Sequence, residues 1–166
     1  MKIVIFIWLL FVSFFVSAQN ELAKQLYTVI SDSTNYFKSF RGAFIMLEDG
    51  DSVFASNSEI QGTRKNDIRV AKDMVLYRSV VADSIKERQG GKIIEHWKMD
   101  LEGILHDHFK VEKTKTVEWN PSKNGWKFMK GNILVNIDLY PYSISSSLYW
   151  VLLGITLFHS EQVLDE

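Results

Sequence analysis

At 166 residues, with 19 Lys and Arg against 20 Asp and Glu, the chain carries a formal net charge of −1, both signs being mixed along it. That balance offers no electrostatic footprint for nucleic acid or an anionic membrane surface, and neither partner is expected. Cysteine is absent, which removes disulfides, thiol nucleophiles, thiolate metal sites and redox motifs from consideration.

The chain starts with Lys2, then an apolar run from Ile3 to Phe15, then Val16-Ser17-Ala18. A cation, a greasy stretch and a small-x-Ala junction are the marks of a secretory signal peptide, so residues 1–18 are expected to be removed. The run is shorter than the roughly 20 residues that span a bilayer, and no cysteine follows it to take a lipid. No stable membrane anchor is therefore expected after cleavage. Residues 19–166 remain, enough for a single domain with a substantial core. An exported, periplasmic or secreted, domain without disulfides must be held by that core, which suits a bacterial envelope.

Leu22, Leu26, Val29, Ile30, Phe37 and Phe40 recur at helical spacing, predicting an amphipathic helix over 20–40 with a stop at Gly42. Residues 43–47 and 53–56 flank Glu48-Asp49-Gly50-Asp51, a hairpin pattern whose acidic tip lacks the alternating oxygen ligands of a calcium loop. Residues 57–66 are polar and read as loop. For 74–82 a helical stripe would place Arg78 in the middle of the buried face, so alternating Val75, Tyr77, Ser79 and Val81 are read as a strand. After Gly90-Gly91, taken as punctuation, Ile93, Ile94, Trp97, Leu101, Ile104 and Leu105 predict the main packing helix over 92–109, with Trp97 as its largest anchor on the sheet.

Residues 111–119 alternate with polar side chains on both faces, as expected of an edge strand guarded by lysines. The regular stretch is C-terminal. Ile133, Val135, Ile137 and Leu139 point one way, and Tyr149, Val151, Leu153, Ile155 and Leu157 repeat the period of two after the turn-rich 141–147. The expectation is an α+β two-layer sandwich: a mainly antiparallel sheet of roughly five to seven strands, covered by two helices or three. No internal repeat is visible.

Chemistry is sparse. His106-Asp107-His108 on a helix would send its imidazoles about 200° apart, so no shared metal is expected. There is no Gly-x-Ser-x-Gly elbow, and Gly90-Gly91-Lys92 lacks both phosphate-cradling fingerprints. No catalytic residue, metal ligand or cofactor is assigned. The aromatic residues Trp119, Trp126, Tyr140, Tyr142 and Trp150 are the candidate interaction surface, because flat rings with polar tips suit a protein or glycan partner. Trp150 and Tyr140 alternate away from the aliphatic set of their own strands. The readings weighed are a non-catalytic interaction module, a carrier of a small apolar ligand, and a hydrolase with a distributed site.

Phe37-x-x-Phe40-Arg41-Gly42, Ser56-x-x-x-Ile60-x-Gly62, the helix carrying Trp97, Leu101 and Ile104, and the strand around 149–157 are similar to small exported α+β proteins of Bacteroidetes-type bacteria. That resemblance implies the fold and the export, and brings no activity or site residue.

Overall fold

The computed structural model describes residues 21–114, 122, 124–143 and 146–159. In chain order these form helix α1 (21–33), a 3-10 turn at Lys38–Phe40, and strands β1 (Arg41–Glu48), β2 (Asp51–Ser56), β3 (Arg64–Val70) and β4 (Met74–Lys86). Helix α2 (Glu87–Leu105) follows, then β5 (Lys110–Lys113), β6 (Gly125–Lys130), β7 (Ile133–Pro141) and β8 (Leu148–Phe158). All eight strands pair antiparallel in one sheet of order β1-β2-β3-β4-β8-β7-β6-β5, with β1 and β5 at its edges and no closed barrel. The class is α+β with an antiparallel sheet, as expected, and with one strand more than the upper expectation.

The expected first helix ends early. Ser31-Asp32-Ser33-Thr34-Asn35 is rich in side chains that compete for backbone hydrogen bonds. Asp32 takes Ser39 N–H on Oδ2 at 3.2 Å and Ser39 Oγ on Oδ1 at 2.7 Å. Tyr36 and Phe37 then adopt left-handed φ angles of 58° and 52°. The reversal carries the Phe37 ring into full burial. Arg41 and Gly42 consequently open β1 instead of closing a helix.

The β1–β2 hairpin turns at Asp49-Gly50, whose φ angles of 55° and 90° suit a two-residue turn that needs positive φ at both positions. Residues 74–82 are a strand, and β4 runs on to Lys86. β3 takes in the end of the expected loop 57–66 and residues beyond it that carry no predicted element, since only Ile68 of its seven residues is buried. Helix α2 starts five residues before the expected 92, where Gln89 Oε1 accepts the Lys86 N–H at 3.2 Å. Gly90 is therefore inside the helix. A Cβ there would lie 2.3 Å from Leu139 Cδ1, so the missing side chain is what lets α2 approach β7. The helix also stops earlier than expected, at Leu105.

One buried cluster joins Leu22, Leu26, Val29 and Ile30 of α1 to Ile94, Trp97, Leu101 and Leu105 of α2. Ile68, Val75, Tyr77, Val135, Ile137, Leu139, Val151, Leu153 and Ile155 complete it from the strands. The predicted alternation of β7 and β8 is the sheet's contribution to this core. Trp97 meets the loop after β2: a Cβ on Gly62 would lie 3.2 Å from its Cζ2. Residues 115–119 of the expected edge strand lie outside the described residues, but β5 does form one sheet edge.

Candidate functional site

Three of the five aromatic residues singled out by sequence come together. Tyr140 lies directly opposite Trp150 across the β7–β8 ladder, and the Tyr142 ring meets the Trp150 ring edge-on at 4.8 Å. Their strand neighbours Leu139, Tyr149 and Val151 are buried, so alternation sends Tyr140 and Trp150 to the other face of the sheet. The register of β4 slips twice, between Val80 and Ala82 and between Ala82 and Ile85, and Ser84 takes a φ of 57°. This irregular stretch brings Asp83 and Ser84 to the rings. The Tyr142 hydroxyl donates to Asp83 Oδ1, Ser84 Oγ donates to the same oxygen at 2.6 Å, and the two hydroxyls are 3.0 Å apart. Trp150 Nε1 is buried without a hydrogen-bond partner among the described residues.

Trp126 does not join them. Its indole N–H donates to Glu95 Oε1 at 3.3 Å and Lys98 Nζ stands 4.8 Å from its ring, so it belongs to the packing against α2. Trp119 lies outside the described residues. Tyr142 is 43% exposed and is the accessible ring of the group.

Next to the aromatic corner, Asp138 is 1% exposed. Burial raises its carboxyl pKa, against the smaller pull of the Asn136 amide and Ser122 hydroxyl, the latter donating at 3.0 Å. Gly125 makes room for it: a Cβ there would overlap Asp138 Oδ1. Burial, and then the nearby Asp138 carboxylate, raise the Tyr140 hydroxyl pKa well above its usual range. On the same sheet face, Arg78 Nε donates to Asp67 Oδ1 at 3.1 Å and Arg69 Nε to Asp51 Oδ2 at 2.7 Å. Burial raises the Asp67 pKa despite Arg78. These pairs satisfy outward polar side chains.

The second exposed feature was not singled out from sequence. Phe44, Ile45, Met46 and Leu47 on the outermost strand β1 are 56%, 50%, 52% and 67% exposed. Four successive large apolar side chains on an edge strand are uncommon in a soluble protein, which usually blunts an edge with charge or proline. The opposite edge, β5, is blunted in that way: four residues long and three of them charged.

Catalytic geometry is weak among the described residues. Asp83, Ser84 and Tyr142 form a hydroxyl–carboxylate triangle without an imidazole to move a proton. His96 and His106 pair with neighbouring Asp100 and Asp107 at 3.6 Å and 2.9 Å, and His159 Nδ1 lies 3.0 Å from the Lys72 carbonyl. No group of three His, Asp or Glu side chains among the described residues could hold a metal ion. A groove of about 310 Å³ runs between the helices, lined by residues such as Leu22, Tyr27, Met99 and Ile104. It draws on no strand. No helix among the described residues is long and apolar enough to cross a membrane.

Compared with protein-family models, curated proteins and solved structures, the chain matches none.

Proposed function

We propose that the protein is an exported, non-catalytic interaction module that captures a protein partner by strand addition at β1. In this reading residues 1–18 are a signal peptide and 19–166 fold as one two-layer domain, with both helices on the same face of the sheet. The observation that carries it is the exposed apolar run Phe44–Leu47 on an edge strand. An added strand would gain main-chain hydrogen bonds along the edge and apolar contacts on both faces. A filled core supports a module over a ligand carrier: Leu26, Ile94, Leu101, Ile137 and Leu153 are fully buried and the groove lies between helices, away from the sheet.

A glycan partner is the second reading, favoured by the Tyr140–Tyr142–Trp150 corner beside Asp83. The two are separated by capture from envelope extract, using the wild type, an Ile45→Lys/Leu47→Lys variant and Tyr142→Ala. Loss of a captured protein in the edge variant alone supports strand addition. Equal capture by wild type and edge variant refutes it, and loss of glycan retention in Tyr142→Ala alone moves the reading to the aromatic corner.

A further inference from the structure

Resting on that reading of β1, we infer that the partner is a second copy of this chain, the two β1 strands pairing antiparallel across a two-fold axis into one continuous sheet. Three observations converge on it.

The first is the contrast between the edges. β1 is outermost, so the N–H and C=O groups on its far side face no strand among the described residues. From Gly42 to Leu47 it carries no charge and no proline. β5 is short and charged, with Lys110, Glu112 and Lys113. One edge is built to pair and the other to refuse, so pairing stops at two copies and does not run on into a fibre.

The second is self-complementarity. A two-fold axis near the middle of the run sets apolar side chains from Ala43 to Leu47 against the same set on the other copy. Isologous pairing of this sort needs no second surface.

Third, charge fixes the direction. Arg41 stands at one end of the strand, and Glu48 and Asp49 at the other, with the Asp49 side chain 87% exposed. Antiparallel pairing brings each Arg41 end to the partner's acidic end. Parallel pairing would set Arg41 against Arg41 and acid against acid, which is unfavourable. The Arg41 guanidinium is held at that end of the strand, Nη2 donating to the Tyr36 carbonyl at 3.1 Å and the group standing 4.8 Å from the Phe54 ring.

The processed chain, purified from the envelope or medium of expressing cells, is measured by sedimentation velocity over a concentration series. The expected result is a dimer whose self-association weakens roughly a hundredfold or more in Ile45→Lys/Leu47→Lys, where like charges meet across the axis. Circular dichroism checks that the variant is folded. Because the chain has no cysteine, single Ile45→Cys and Met46→Cys variants add a direct readout. Oxidation should link at least one of them into a covalent dimer, whereas Lys113→Cys on the far edge should form no covalent link. A monomer at every concentration, or a dimer that survives the double lysine change, overturns the inference. If the chain is monomeric but its capture of an envelope protein still depends on β1, self-pairing fails and the strand-addition reading stands. If it is monomeric and capture is indifferent to β1, both fail.

Discussion

Asp138 shows how one side chain ties packing to proton binding. It occupies an outward position of β7, where alternation predicts solvent, yet it is buried against Gly125 and takes the Ser122 hydroxyl. Burial favours its protonated form, so its folded pKa lies above the ordinary 3.8 of the unfolded chain. The folded state then binds this proton more tightly than the unfolded one. Asp138 therefore supports folding most at acid pH, below the unfolded value, and that support is lost as pH rises through the folded pKa. Asn at this position keeps the shape and an acceptor for Ser122 but does not titrate. The stability of Asp138→Asn relative to wild type should accordingly improve between about pH 3 and about pH 7, read from urea midpoints. A difference that is flat or worsens over that range would refute the assignment of burial as the dominant influence.

At the scale of elements, the approach of α2 to β7 depends on which glycine lies beneath. Gly90 faces Leu139, itself 1% exposed and unable to swing aside, whereas a Cβ on Gly91 would meet nothing within 4 Å. Gly90→Ala overpacks this contact and should cost about 1–3 kcal/mol. Gly91→Ala removes unfolded-state freedom from an open helical position and should gain about 0.5–1 kcal/mol. Thermal unfolding of the two variants distinguishes the roles, and equal effects would mean that neither glycine is there for contact. This pair also marks where sequence reading stops. Periodicity identifies β7, β8 and the stripe of α2, because each buries one regular face. It misplaces the start of α2, because a glycine chosen for close packing looks the same as one chosen for a turn. β3 escapes notice because Asp67 and Arg69 are satisfied by Arg78 and Asp51 on neighbouring strands, pairings that no local pattern carries. The aromatic corner was half legible: alternation set Tyr140 and Trp150 apart, but nothing local predicts that a slip in β4 brings Asp83 to them. The β1 edge is visible in the sequence as one apolar arm of a hairpin, but only the strand order shows that no strand among the described residues lies beyond it.

Taken whole, the described residues form a helix and four consecutive strands, twice over, and the sheet order reads the same from either edge. Phe37-Lys38 and Leu76-Tyr77 recur as Phe109-Lys110 and Leu148-Tyr149, in each case 72 residues later (37 to 109, 77 to 149). All four rings are buried. So few shared residues leave no repeat to be seen in the sequence, although the backbone plan is doubled. The halves meet at β4 and β8, the two longest strands, which pair at ten positions from Met74↔Phe158 to Lys86↔Leu148. The buried cluster crosses that seam, with Tyr77 of β4 directly opposite Ile155 of β8. A half on its own would leave its seam strand as a long unpaired edge and expose much of the cluster, which is more burial than four strands and a helix can forgo. Fragments 19–86 and 87–166 should therefore each be unfolded or aggregated when made alone, and should recover native-like circular dichroism and one cooperative melt when refolded together. Cooperative unfolding of either fragment in isolation would show that the halves are independent units and that the β4–β8 seam is a contact between them, not the centre of a common core.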